Sequence, residues 1–381
     1  MKILYINKVS PHLGGGAELR LLEIGRRLVD RGHQVHVICS KTEPGLPDYE
    51  TIQGIKIHYL SLLPDSFFRL KRLAFYLSRY FFYPATLGLG KRIAQIAPDV
   101  IIDYIAPSPS LVYPLARQFR IPCCAEVMEY RGNQWFKLSD PLTALLGLFS
   151  QIFLLRFRYD KFIVISNFTR CELMQAGVVP ENIAVVPCGV SVENFKNSHP
   201  LERDSNSLIV IGRLVPQKGH VYLFDALTYV RELVPEVKLH VVGDGPIRSQ
   251  LEQYVRQKKL HNNVVFTGRI TDDEKRALLW SSSLFVSPSL QEGFGIVLLE
   301  AMACGLPIVA FDLPVYQEFV DSNCGFLVPK GDIQAMAKQI VYFLQDVEKR
   351  EKVSAYNLVH VRQFKWDEVT SMAEQILYDI L

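Results

Sequence analysis

The sequence predicts two α/β domains, each a doubly wound parallel sheet, facing a central cleft. The first observation is length: 381 residues exceed what one ordinary core absorbs. The second is pattern, because short β-branched runs alternate with longer helical stretches, as in parallel α/β architecture. The third is number. Five such runs fall in each half, enough for each half to form its own sheet, and such sheets bind ligands at the carboxyl ends of their strands.

In the first half the strands read KILYIN, QVHVIC, DVIIDY, PCCAEV and KFIVIS. After the first of them, Gly14, Gly15 and Gly16 precede an amphipathic helix with Leu19, Leu22, Ile24 and Leu28 on its apolar face. This loop is not GxGxxG, and the second strand ends in Cys39 and Ser40 with no acid, which disfavours a dinucleotide site. In the second half SLIVIGRL, VKLHVVGDG, NVVFTG, SLFVSPS and LPIVAF repeat the theme. The polar stretch 189–207, which contains Pro200, reads as the junction. The expected domains are 1–192, 193–362 and a helix within 363–381 that packs back on the first domain.

Composition excludes several classes. At 49% hydrophobic and 21% charged the chain is globular, and a net charge of +3 gives no reason to expect a nucleic-acid partner. Seven cysteines without a CxxC pair suit reduced thiols and a cytoplasmic location. The start, MKILYINKVS, is a strand pattern and not a signal peptide, and no run of about 18 apolar residues suggests a spanning helix.

The stretch QEGFGIVLLEAMACG carries the chemistry. Gly293 and Gly295 oppose a helix through Glu292, whereas a helix is expected from Ile296 to Gly305, with Glu300 one turn inside it. The two acids then address one elongated ligand, whose anionic oxygens meet the helix N-terminus and the free loop N–H groups. Two acids at one spacing also recur by chance on solvated helices. Upstream, GRLVPQKG sets Arg213 and Lys218 just after a strand, where two cations neutralise a diphosphate, Arg as a planar fork and Lys as a point charge. In VVGDGP, Gly243 and Gly245 leave room for backbone to approach a ligand, or simply make a tight turn. No DxD occurs, so no metal site is expected and protein cations take the work of a divalent metal.

In this order the motifs resemble the large retaining glycosyltransferase family 4, with its GT-B fold of two Rossmann-like domains. The resemblance runs through the glycine loop and helix at 14–38, GRLVPQKG, GDGP, VVFTGRI, the two glutamates with seven residues between them, LPIVA and GFLVP. It implies that Arg213 and Lys218 hold the donor diphosphate and stabilise the leaving charge. Glu292 would bind donor-sugar hydroxyls beside the N–H groups of Phe294 and Gly295, and Glu300 the ribose hydroxyls. Arg269 and Ile270 would line the base pocket, and Gly15 and Gly16 would let the first domain's loop close on the phosphates. The donor is a nucleotide diphosphate sugar, no further cofactor is implied, and the family retains anomeric configuration without an assigned enzyme nucleophile. Many members carry a histidine after the strand matching PCCAEV. Here the chain reads MEYRGNQW, which leaves Glu129 or Arg131 on the acceptor side.

Residues 64–92 hold six Lys or Arg, one acid and eight aromatic residues. Phe67, Leu70, Ala74, Leu77 and Phe81 recur at helical spacing, as a core-facing helix or as one lying on an anionic membrane. The density of aromatics and cations favours the membrane, as does a second apolar run, LTALLGLFSQIFLL. The expectation is a glycosyltransferase peripheral to the cytoplasmic face of a membrane, acting on a glycan or lipid-linked acceptor. The alternatives are a catalytically silent sugar-nucleotide-binding or scaffold relative, and a GT-B epimerase.

Overall fold

The computed structural model describes residues 1–7, 10–40, 46–60, 87–105, 112–130, 141–195 and 203–381. They form two compact units, Met1–Cys188 with Trp366–Leu381, and Gly189–Lys365. The breaks fall at 188/189 and 365/366, against the expected 192/193 and 362/363. Val190 explains the difference. It bridges Lys365 in parallel and its N–H donates to the Phe364 carbonyl at 2.8 Å, tying 189–192 and 363–365 into the second unit.

The first unit runs β1 (Lys2–Ile6), α1 (Gly16–Asp30), β2 (Gln34–Ser40), β3 (Tyr49–Ile52), β4 (Ile55–Leu60), α2 (Leu87–Ile96), β5 (Val100–Ile105), α3 (Val112–Phe119), β6 (Cys123–Val127), α4 (Pro141–Leu155), β7 (Lys161–Val164), α5 (Asn167–Gln175) and β8 (Ile183–Val185). Its sheet order is β3-β4-β2-β1-β5-β6-β7-β8. All pairings are parallel except β3 with β4, a hairpin turned at Gln53 and Gly54, both with positive φ. On one face Leu4, Ile6, Ile101, Ala125 and Val164 pack with Leu89, Ile93, Ala116 and Leu173 of the helices. Most of the stretch expected as a helix at 64–92 lies outside the described residues, as does Arg131; α2 begins at Leu87. The second apolar run is α4. It buries Ala144, Gln151 and Leu154 and exposes Leu145, Phe149 and Ile152, the phenyl group of Phe149 with 66% of its residue area accessible.

The second unit runs β9 (Ser207–Ile211), α6 (His220–Leu233), β10 (Lys238–Val242), α7 (Arg248–Gln257), β11 (Val264–Gly268), α8 (Asp272–Ser281), β12 (Leu284–Ser287), α9 (Ile296–Ala303), β13 (Ile308–Phe311), β14 (Gly325–Val328), α10 (Ile333–Gln345) and α11 (Val347–His360). The sheet is wholly parallel, in the order β11-β10-β9-β12-β13-β14. Local chemistry sets the helix starts. Thr271 and Glu274 form a reciprocal capping box at α8, and the carboxylates of Asp332 and Asp346 accept the N–H groups of Ala335 and Lys349 at α10 and α11. Leu208, Val210, Leu239, Val241, Val286 and Val309 meet Leu223, Leu227, Ile340 and Phe343 in one core. Helix α9 is buried almost all round, as its uniformly apolar sequence requires, and Glu300 is buried with it.

A last helix, α12 (Trp366–Asp379), belongs to the first unit, against α1. Arg27 meets Asp367 at 3.0 Å, while Arg31 and His33 each reach Glu374 at 2.6 Å. Burial pushes the Glu374 carboxyl up, but the hydrogen bonds of His33 and Arg31 outweigh it and hold the group below its ordinary value. A depressed folded pKa stabilises above the unfolded value near 4.3 and the gain is lost as pH falls through the folded one. Glu374→Gln is therefore expected to lower Tm by about 2 °C at pH 7, a difference that shrinks as pH falls below about 4, as read by thermal melts across that range.

Candidate active site

In the second sheet β9 and β12 are neighbours from which the strand order runs outward in opposite directions. Such a switch point opens a crevice at the carboxyl ends of the strands. The loops that follow β9, β10, β11 and β12 carry GRLVPQKG, GDGP, Arg269 with Ile270, and QEGFG, respectively. They also bind one another. Leu214 N–H donates to the Asp244 carbonyl at 3.0 Å, Gly243 N–H to the Gly268 carbonyl at 2.9 Å, and Leu290 N–H to the Gln217 carbonyl at 2.9 Å. A Cβ at Gly243 would strike the Gly212 carbonyl oxygen, and one at Gly245 that of Leu214. The Cβ side of both glycines is thus filled by the neighbouring loop's backbone, so a side chain at either position would break the loop packing.

The rim brings Lys218 and Glu292 together. Lys218 Nζ lies 2.5 Å from Glu292 Oε1, which also accepts the Ser289 hydroxyl at 2.8 Å. Both side chains are mostly shielded, with 21% and 12% of their area accessible, so the pair sits in a medium that strengthens charge interactions. Arg213 is exposed, and Arg269 and Ile270 stand at the outer end of the same rim, exposed and half-buried. His220, not singled out by any motif, opens α6 beside Lys218. It is buried with no partner for Nδ1 among the described residues, and burial, aided by Lys218, lowers its pKa to about 4, so it is neutral at pH 7.

The loop ahead of α9 is set from behind. Gly295 takes φ 105°, and a Cβ there would lie 2.6 Å from Tyr316 Cε1. Tyr316 is fully buried, with its hydroxyl 3.0 Å from that of Ser287. The buried Phe294 ring stacks on Phe319 at 4.9 Å and 14°. The Phe294 ring is therefore turned away into the core, and Glu292 is held at the loop's other end by Lys218 and Ser289.

Glu300 has a partner that the sequence did not reveal. Lys275 of α8 lies 2.9 Å from Glu300 Oε1 and 3.2 Å from Asp272. In DDEKRALL it reads as an ordinary surface charge, and only the fold brings it to α9. Burial pushes the Glu300 carboxyl up and the Lys275 ammonium opposes that. The other oxygen, Oε2, is buried with no hydrogen-bond partner among the described residues, an acceptor that a ligand hydroxyl would satisfy.

In the first unit Gly15 is the N-cap of α1 and Gly16 its first residue. Four residues on, Arg20 is buried, donating through Nε to Glu126 at 2.8 Å and through Nη1 to the Pro187 carbonyl, which anchors α1 to β6. Glu129, half-buried beyond β6, faces Glu172 of α5. Burial first, and then the Glu129 charge, push Glu172 up to about 7. A carboxyl raised on folding is favoured when protonated, so this position loses stability as pH rises from about 4.3 through 7. Glu172→Gln is expected to raise Tm at pH 8 and to leave it unchanged at pH 4, the difference being read by melts across that range.

Two parallel α/β units with a glycine-loop crevice at the second sheet's switch point define a GT-B glycosyltransferase fold. Solved structures of that class superpose over the full length: Anabaena HepE in complex with UDP and glucose, TM-score 0.78, 23% identity and 100% of both chains, and sucrose-phosphate synthase from Thermosynechococcus elongatus, TM-score 0.79, 22% identity, 99% of this chain and 98% of that one. The family model for Glycosyltransferase Family 4 matches residues 14–194, and that for glycosyl transferases group 1 matches 191–358. The chain belongs to glycosyltransferase family 4. It is 28% identical to the phosphatidyl-myo-inositol mannosyltransferase of Mycobacterium leprae, over 99% of this chain and 96% of that protein. It is 26% identical to the N-acetyl-alpha-D-glucosaminyl L-malate synthase of Bacillus anthracis, over 96% and 94%.

Proposed function

We propose that this glycosyltransferase moves a hexose from a UDP- or GDP-sugar to a hydroxyl of a lipid-linked or surface-polysaccharide acceptor, with retention and without a metal ion. The observation that carries the proposal is the Lys218–Glu292 pair on the rim of the β9/β12 switch point, with the unpartnered Glu300 oxygen on the next helix. Lys218 and Arg213 neutralise the diphosphate as charge builds on it, the preorganised electrostatic contribution that outweighs others in such transfers. Glu292 accepts hydrogen bonds from the sugar hydroxyls and Glu300 from the ribose. The anomeric C–O bond to the diphosphate breaks while the acceptor oxygen bonds to the same face, and the acceptor proton passes to the leaving phosphate oxygen. No side chain is given a nucleophile's role. NMR of the product's anomeric proton, from reactions run in EDTA, tests this. The donor's own configuration with undiminished rate is expected; inversion, or a rate restored only by Mg²⁺ or Mn²⁺, contradicts it.

A glycolipid acceptor is supported by the mannosyltransferase relatives, whose names specify phosphatidyl-myo-inositol. Among the described residues no helix is long and apolar enough to cross a membrane. Peripheral attachment is supported by the exposed Leu145, Phe149 and Ile152 on one side of α4, followed by the exposed Arg156 and Arg158. Flotation with anionic vesicles is expected to carry the protein upward, and Phe149→Asp with Ile152→Asp to weaken that about tenfold. Equal flotation of the double variant removes α4 from the account.

A further inference from the structure

The turn before β14 and the end of α11 gather three donor groups that the transfer reaction does not use. A carboxylate oxygen of Asp321, Sγ of Cys324 and a ring nitrogen of His360 lie within 4.8 Å of one another. Each is held by its surroundings. Asp321 Oδ1 accepts the N–H groups of Asn323 at 2.7 Å and Cys324 at 3.2 Å, and Oδ2 accepts the Tyr356 hydroxyl at 2.7 Å. The Tyr356 ring stacks on His360 at 5.2 Å and 20°. Nε2 of His360 lies 3.0 Å from the Phe319 carbonyl oxygen, and Cys324 Sγ lies 4.0 Å from the same atom. Asn357 Nδ2 donates to the Cys324 carbonyl at 3.1 Å and so fixes α11 to the turn.

Thiolate, imidazole and carboxylate together are a zinc donor set, whereas Mg²⁺ and Ca²⁺ call for oxygen alone. Orientation of ligands by neighbouring hydrogen bonds, as Tyr356 orients Asp321, is the support such sites need. Cys324 is buried, His360 half-buried and Asp321 exposed, which leaves one side open for entry and for a water as the fourth ligand. We propose that Asp321, Cys324 and His360 form a site for a single thiophilic divalent cation of the Zn²⁺ type. On binding, the Cys324 S–H proton leaves to solvent, a sulfur–metal bond forms, and the neutral imidazole and ionised carboxylate complete three protein ligands. The cation then cross-links the turn before β14 to α11. Two acids and one dication leave the site neutral.

The probes are Zn²⁺ and Co²⁺ alone, added to full-length protein in which the exposed Cys171 is replaced by Ser to remove a competing thiol. One equivalent of Zn²⁺ is expected to bind, with Tm raised by about 4 °C or more at saturation. Co²⁺ should give a thiolate-to-metal absorption band. Cys324→Ser should abolish the band and weaken Zn²⁺ binding about 100-fold, and His360→Gln should weaken it about 10- to 100-fold. Zn²⁺ binding that survives Cys324→Ser overturns the proposal. So does absence of the cobalt band in protein that keeps Cys324, a readout that needs no variant at the site to fold; the three groups are then a hydrogen-bonded latch on the Phe319 carbonyl.

Discussion

Glu292→Ala is expected to lower kcat about 10²- to 10³-fold and to leave nucleotide affinity within about threefold of wild type. The asymmetry follows from position. Glu292 lies in the loop before α9, and in the proposed function it holds the transferred sugar, where hydrogen bonds tighten as charge develops, while UDP or GDP alone lacks that sugar. The same carboxylate neutralises Lys218 at 2.5 Å, so its loss frees that ammonium for phosphate and offsets any indirect damage to the nucleotide. Lys218→Ala should do the reverse and weaken nucleotide binding about 10- to 100-fold. Because the two groups touch, the double variant should fall short of the sum of the single effects. Steady-state kinetics with calorimetry on the three variants checks this, and equal loss of nucleotide affinity in Glu292→Ala contradicts the division of labour.

Lys275→Met is expected to raise donor KM about 10- to 100-fold at pH 7, with kcat much less affected. It removes the ammonium 2.9 Å from Glu300, the largest influence against burial, and leaves the smaller one of Arg276. Burial then pushes the Glu300 carboxyl further up than in the wild type, towards the protonated form, a poorer acceptor for the ribose hydroxyls of the proposed donor. The sign is testable. In the variant, donor KM should fall as pH rises and Glu300 ionises, whereas the wild-type value should stay flat over the same range. Breaking a buried ion pair also costs stability, about 3–5 kcal/mol when one charge is stranded. The double variant Lys275→Met with Glu300→Gln strands no charge, so it should recover much of the Tm without recovering donor KM. A KM restored along with Tm would mean that the pair serves folding alone.

The parallel strands were legible because short apolar runs such as KILYI and SLIVI have no helical period and alternate with longer helical patterns. The helix from Ile296 was legible because Gly293, Gly295 and Gly305 bracket an apolar run. Harder to read were β3 and β4, whose hairpin rests on Gln53 and Gly54, and β8, only three residues long. The site's long-range pairs were not legible. Lys275 and Glu300 are 25 residues apart, and Arg20 and Glu126 are 106 apart, separations at which only sheet order decides who meets. Gly243 and Gly245 were legible as positions of close backbone approach or a tight turn, but the sequence does not tell that the Gly212 and Leu214 carbonyls lie against them.

Calorimetric titration of the wild-type protein and of Lys218→Ala with UDP and with GDP, in metal-free buffer, tests the central claim most directly. The account predicts that one of the two nucleotides binds without metal and that Lys218→Ala weakens it at least about tenfold. Undiminished binding in the variant would move the donor diphosphate away from the β9/β12 switch point. Binding of neither nucleotide, with or without Mg²⁺, would contradict the donor site itself.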